Sequence, residues 1–258
     1  MTLRVLVTGG SSGLGAALVA AYRARGARVL VADISVAAGA TGDQIHLDVR
    51  SDDDWAAARA RVTEHWGGLD VLVNNAGVAG GGRLDVATLD EWQWITEINL
   101  FGVVRGTREF TPVFKEQGGG RIINIASLAG LVHPAGMGSY NAVKAAVVAL
   151  TETTGHELAE YGVTAHVVCP SYFRTGLVDS MQGSDTAVGA VIGALVQSAP
   201  LGPEEIADAI LAGVDAGDEM ILPDEAAQAA YGLKVADRNG YNAVMRKQAV
   251  RLNAMGTA

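Results

Sequence analysis

Cysteine is almost missing from this chain, and basic charge is scarce. Cys169 is the single thiol, so no disulfide can close within one chain and no cysteine-based metal site is expected. Nineteen Lys and Arg stand against 28 Asp and Glu, a formal net charge of -9. Binding to a phosphate backbone is driven by cations, so nucleic acid is not an expected partner. No apolar run free of charge and glycine reaches a membrane-spanning length, so no membrane association is expected. Met1 leads within a few residues into a β-rich run, without the basic start, apolar stretch and cleavage site of a secretory leader. A reducing, cytoplasmic setting is the expectation. Disorder is excluded as well, because 49% hydrophobic and 18% charged residues in a chain of 258 can bury a substantial core in one domain. The 33 glycines are scattered rather than periodic, as tight turns and close backbone packing require.

What is present begins as strand, glycine turn and helix. Leu3 to Thr8 is a β-branched apolar run that stops at Gly9, and Gly13 to Arg25 carries apolar residues at helical spacing. The turn between them, Thr8-Gly9-Gly10-Ser11-Ser12-Gly13-Leu14-Gly15, lets backbone approach a ligand while the helix start offers N–H groups to a pyrophosphate. Alone, it reads equally well as a bare turn. A second strand, Arg28 to Ala32, ends at Asp33, 20 residues beyond Gly13, where a carboxylate can accept from adenosine ribose hydroxyls. A 2′-phosphate would be repelled there, and neither Ser12, Ile34 nor Ser35 supplies a compensating cation. NAD is therefore expected over NADP, against the plainer reading of Asp33 as a cap.

Gln44 to Leu47 makes a third strand running into Asp48-Val49, followed by a helix capped at Ser51 and reaching about Trp66. Leu69 to Val73 is a fourth strand leading into Asn74-Asn75-Ala76-Gly77, whose carboxamides can stitch strand ends together and leave room beside a flat cofactor. Leu89 to about Gln117 reads as one long helix with Asn99 in its middle, a kink with a purpose or an unremarkable Asn. After Gly118-Gly119-Gly120, Arg121 to Ala126 is a fifth strand that delivers Ser127 at its carboxyl end, where ligands bind in open α/β sheets.

Tyr140 and Lys144 are four residues apart ahead of an apolar helical run, hence on one helix face. An ammonium about 4 Å from a tyrosine oxygen, at an effective dielectric of about 20, favours the phenolate by roughly 4 kcal/mol, or about three pKa units. By itself the pair reads more readily as an ordinary helix with a surface lysine. A sixth strand, Val163 to Val168, closes at Cys169-Pro170. Gly176 to Pro200 contains no Lys or Arg and reads as a mobile lid over an apolar pocket, within a lid segment of about 172–202. A helix from Pro203 to about Ala216 and a short strand from Glu219 to Leu222 follow, then a helical extension over about 224–258.

In this order the motifs resemble the classical short-chain dehydrogenases/reductases, over about Leu3 to Thr175. The resemblance implies a single-domain, Rossmann-type doubly wound α/β fold: a seven-stranded, mainly parallel sheet with helices on both faces. It implies Gly9, Gly13 and Gly15 around a pyrophosphate, with Ser11, Ser12 and Leu14 in the same loop. Asp33 would sit at the ribose, Asp48 and Val49 at the adenine, and Asn75, Ala76 and Gly77 along the cofactor cleft. Pro170 and Thr175 would lie beside the nicotinamide, although Ser171 stands where the family usually has glycine. Tyr140 would exchange a proton with an alcohol or ketone, Lys144 would lower the phenol pKa and hold the nicotinamide ribose, Ser127 would hold the substrate oxygen, and Asn99 would support a proton-relay water. The substrate expected is an apolar secondary alcohol or its ketone, the assembly a homodimer or homotetramer. A catalytically silent dinucleotide-binding protein, or a redox-assisted epimerase or dehydratase, stays open beside this reading.

Overall fold

The computed structural model describes residues 2–255. Seven strands form one sheet in the order β3-β2-β1-β4-β5-β6-β7: β1 (Arg4–Thr8), β2 (Arg28–Asp33), β3 (Gln44–His46), β4 (Val71–Asn74), β5 (Gly120–Ile125), β6 (Val163–Val168) and β7 (Met220–Ile221). Every pairing is parallel, so the expected "mainly" parallel sheet is wholly so. Strand ends differ from the sequence reading by one or two residues, which is the scale on which frayed hydrogen bonds set a boundary.

Parallel strands need crossovers, and helices supply them. α1 (Gly13–Ala24) and α8 (Pro203–Ala216) cover one face, packing Leu14, Leu18, Ile206 and Ile210 on Val5, Val7, Val29 and Val31. The alternate residues Leu6, Leu30, Leu72 and Ile122 face α2 (Asp52–Trp66) and α4 (Gly102–Gln117) through Trp55, Val62, Phe110 and Phe114. Burial on both faces explains why these strands read as continuous apolar runs. α6 (Gly138–Leu158) lies on the second face as well, against β6. α2 starts as its sequence foretold, with Ser51 Oγ accepting from the Asp54 N–H at 3.1 Å and Gly67 ending it at φ 71°.

The stretch expected as one helix from Leu89 to Gln117 is three pieces: α3 (Leu89–Thr96), one π-helical turn (Glu97–Phe101) and α4. Asn99 sits in the π turn, fully buried. Its Oδ1 accepts from the Val78 N–H and its Nδ2 donates to the Val78 carbonyl, both at 2.9 Å. The carboxamide is thus spent on the loop after β4 rather than on its own helix, and the wide turn aims it there.

The segment expected as a mobile lid is structured. A 3-10 turn (Gly176–Ser180) leads to α7 (Thr186–Gln197), whose Val188, Ile192 and Val196 are buried. Asp185 caps α7 and forms an ion pair with Arg83 at 2.7 Å. The C-terminal extension is a pair of helices, α9 (Glu225–Ala236) and α10 (Arg238–Ala254); the end of the expected extension, 256–258, lies outside the described residues. Among the described residues no helix is long and apolar enough to cross a membrane, and no cluster of three or more His, Cys, Asp or Glu could hold a metal.

Candidate active site

Between β1 and β4 the strand order reverses, and at the carboxyl ends of these strands opens a cavity of about 1160 Å³. A typical small-molecule site holds roughly 300–1,000 Å³, so there is room for more than one ligand. One end is built by the glycine turn. Gly9 and Gly13 take φ of 62° and 50°, a region that favours glycine. A Cβ on Gly9 would stand 3.0 Å from Ala76 Cα, and one on Gly13 would stand 3.1 Å from Thr175 Oγ1. Gly15 serves helix packing instead: its Cβ would fall 2.0 Å from the Gly9 carbonyl oxygen. Ser12 caps α1 with no side-chain hydrogen bond, which leaves the first-turn N–H groups to a ligand. These features fit a pyrophosphate-bearing dinucleotide.

Asn75 stitches this turn to β4. Its Nδ2 donates to the Thr8 carbonyl at 2.9 Å, while Thr8 Oγ1 accepts from the N–H groups of Asn75 and Ala76, each at 3.0 Å. Asn74 reaches the other way, donating to Asn124 Oδ1 at 2.9 Å, so the stitching role read from the two carboxamides is observed. Asp33 accepts from the Ser11 N–H at 3.0 Å and from the Ser35 N–H and hydroxyl at 2.9 and 2.8 Å. Burial pushes its pKa up, but the bonds from Ser35 and Ser11 outweigh that and hold it below the usual value. Gly9, Ser12, Gly13, Leu14, Asp33, Asp48, Val49, Asn75, Ala76, Gly77, Pro170 and Thr175 all line the cavity, whereas Ser11, Gly15 and Asn99 do not. Arg50, which the sequence reading did not single out, lines it too, paired with Asp48 at 2.6 Å. Neither the charge nor the spacing of Arg50 distinguishes it from a surface residue in sequence.

At the other end Ser127, Tyr140 and Lys144 share the cavity wall. Ser127 follows β5, and the short helix α5 (Ala129–Val132) then docks against α6 so closely that a Cβ on Gly130 would meet Lys144 backbone at 2.6 Å. This approach places the Ser127 hydroxyl beside Tyr140, where it favours the phenolate. Burial pushes Tyr140 up to about 12, with the neighbouring Ser127 hydroxyl working against it. Lys144 is pushed down to about 8, again by burial, with nearby Cys169 opposing. The direct lowering of the phenol by Lys144 that the helix spacing suggested is not found. The ammonium is bent away onto the Ile125 carbonyl, and burial dominates both titrations.

Ser171, which departs from the expected glycine, has a partner of its own. Its N–H donates to Asp224 Oδ2 at 2.9 Å and its hydroxyl to Oδ1, and Asp224 in turn caps α9. The hydroxyl therefore ties the turn after β6 to the C-terminal helices. Sequence reading also missed α9 and α10 as cavity elements: Ala230, Leu233, Tyr241, Val244, Met245 and Gln248 line it. An Ala-rich helix with a mixed polar face gives no signal of what it will pack against.

A doubly wound sheet with a glycine turn at its switch point and a Ser-Tyr-Lys wall defines a dinucleotide-dependent oxidoreductase. The short chain dehydrogenase family model matches residues 4–185, and the chain belongs to the short-chain dehydrogenase/reductase family. It is 40% identical over 182 residues to a 3-alpha-(or 20-beta)-hydroxysteroid dehydrogenase of Mycobacterium tuberculosis, 67% of this chain and 70% of that protein. It is 34% identical over 192 residues to a D-beta-hydroxybutyrate dehydrogenase of Rhizobium meliloti, covering 69% and 74%. A Burkholderia phymatum short chain dehydrogenase/reductase in complex with NAD superimposes with a TM-score of 0.84 at 30% identity, over 92% of this chain and 94% of that one. A Burkholderia cenocepacia short chain dehydrogenase in complex with NADP does so at 0.78 and 27%, over 95% and 99%. The protein is thus an oxidoreductase that acts on hydroxyl or keto groups of small molecules with a nicotinamide dinucleotide.

Proposed function

We propose that this protein interconverts an apolar secondary alcohol and its ketone with NAD(H). The observation that carries this reading is the convergence of Ser127, Tyr140 and Lys144 on one cavity with the glycine turn. Gly9, Ser11, Ser12, Gly13, Leu14 and Gly15 would hold the pyrophosphate, by contact or by shaping the turn. Asp33 would hold the adenosine ribose, Asp48 and Val49 the adenine, and Asn75, Ala76, Gly77, Pro170 and Thr175 the remaining length, with Lys144 on the nicotinamide ribose. The carboxylate character of Asp33 favours a free 2′-hydroxyl over a 2′-phosphate. Bound NAD supplies hydride acceptance, and its reduced form hydride donation.

Tyr140 takes the hydroxyl proton as the alcohol is oxidised and returns it to the ketone oxygen in reduction. Ser127 donates to that same oxygen and stabilises charge as it develops. The Lys144 ammonium, held on the Ile125 carbonyl, and Asn99, which positions the adjoining loop, pass the proton outward. The single thiol and the exposed apolar residues Val235 and Val250 support a cytoplasmic homodimer or homotetramer. A panel of secondary alcohols, followed by absorbance of the reduced cofactor with NAD and with NADP, tests the proposal. NAD-linked turnover is expected; tight NAD binding without hydride transfer across the panel would instead indicate a silent dinucleotide-binding protein.

A further inference from the structure

Beyond residue 185, where the family match ends, the chain builds the far wall of the substrate end from α10. That helix is fixed at both ends. Near its start, the Tyr241 hydroxyl donates to the Val132 carbonyl at 2.7 Å, tying it to α5 and so to the Ser127 loop. Near its finish, Leu252 is buried beside Gly136 and its carbonyl accepts from Arg83 Nη1 at 3.3 Å. Arg83 is the residue paired with Asp185 at the cap of α7, so loop, lid helix and α10 meet at one clasp. Between these anchors Val244, Met245 and Gln248 line the cavity.

Two further features bear on what fits. The apolar lining runs out to the rim, where Tyr172, Leu195, Leu233 and Val244 stay 37%, 40%, 48% and 51% exposed. Apolar surface left in water at a cavity mouth is driving force reserved for whatever covers it. Away from the nucleotide end, Lys144 is the one cation among the lining residues, and Asp179 is of the wrong sign for an anion. Arg246, Lys247 and Arg251 of α10 are exposed and do not line the cavity. A carboxylate or phosphate on the distal part of a substrate would be desolvated without a counter-ion.

From these we infer that α10 is the specificity element of this enzyme, and that Val244, Met245 and Gln248 select a large, uncharged, apolar secondary alcohol over small or anionic ones. The inference rests on the proposed alcohol–ketone reading and adds to it the size and charge of the substrate and the residues that read them.

Three probes decide it: cyclohexanol, an uncharged fused-ring secondary alcohol such as a 3-hydroxysteroid, and the same ring system bearing a distal carboxylate. The uncharged fused-ring alcohol is expected to have the highest kcat/KM, by at least about tenfold over either other probe. Val244→Trp, which fills the wall, should lower the ratio of kcat/KM for the fused-ring alcohol over cyclohexanol by at least about tenfold. Gln248→Arg should raise kcat/KM for the carboxylated probe by about tenfold by supplying the missing counter-ion. Equal preference for all three probes, a better anionic than neutral substrate, or a Val244→Trp ratio unchanged from wild type would overturn the inference. Calorimetric titration of the fused-ring alcohol and its carboxylated analogue into wild-type and variant protein reads the pocket without turnover. Selective binding that Val244→Trp abolishes, in a protein that transfers no hydride, upholds the inference while removing the proposed reaction; no selective binding and no turnover removes both.

Discussion

The ammonium nitrogen of Lys144 stands 5.8 Å from the centre of the Tyr140 ring and is held at 2.9 Å by the Ile125 carbonyl at the end of β5. Lys144, one turn beyond Tyr140 on α6, is thereby tied to β5 as well. Both are buried, and burial penalises the charged form of each: the phenol is pushed up to about 12 and the amine down to about 8.

Tyr140→Phe is expected to lower kcat by about 10³-fold or more, within the range of losing a general acid–base, while NAD affinity changes by less than about threefold. Steady-state rates and a fluorescence titration with NAD check it. A variant with a tenth of wild-type activity would show that another group moves the proton.

Lys144→Met should be more thermostable than wild type at pH 7. The folded pKa of about 8 lies below the ordinary 10.5, so the buried charge is a standing cost below pH 8, on the order of 3 kcal/mol. Losing the bond to the Ile125 carbonyl offsets about 1 kcal/mol of the gain. Between pH 8 and 10.5 the unfolded chain binds a proton that the folded one does not, so wild-type stability gains on the variant as pH rises. Thermal melts across that range measure it; a lower Tm for the variant at pH 7 would contradict the account.

Asp185→Asn breaks the buried pair with Arg83 that joins α7, the Arg83 loop and α10. Removing one partner of such a pair should lower Tm at pH 6 by roughly 5 °C or more. The Arg83 hydrogen bonds, against an opposing effect of burial, hold Asp185 at about 2. A depressed carboxyl pKa gives stability that is full above the ordinary 3.8 and lost as pH falls toward 2. The gap between wild type and variant should therefore close over that acid range, and melts at stepped pH will show whether it does.

Asp33→Ala should raise the ratio of NADP to NAD catalytic efficiency by at least about tenfold, because a like charge at the ribose is removed. Its loss also frees the Ser11 N–H from a 3.0 Å bond, so NAD efficiency itself should fall. Paired measurements with the two cofactors test this. An unchanged ratio would place the carboxylate away from the ribose.

Much of the architecture was legible because strands buried on both faces must be continuously apolar and turns with positive φ favour glycine. Val5 to Val7 and Gly9 are read that way without coordinates. Asn75 and Ser127 were legible as strand-end residues at the ligand side of the sheet. A kink at Asn99 was legible too, from a poor helix former in mid-helix, but not that it takes the form of a π turn, because a helix that widens by one residue keeps its composition; what decides it is the Val78 backbone that its carboxamide bonds. Ser171 looked like a departure from pattern, and its reason, Asp224, lies 53 residues away.

Periodicity and local chemistry thus determined the strands, the glycine turn and the pairing of Tyr140 with Lys144 on one helix face, since each depends on neighbours within a few residues; the family rested on the resemblance of the motifs in their order. Tertiary structure alone decided that Lys144 turns to Ile125, that Arg83 clasps Asp185 beside Leu252, and that Val244 and Gln248 face the cavity. Those outcomes depend on which distant surfaces meet when apolar area is withdrawn from water, and no stretch of the chain carries that information by itself.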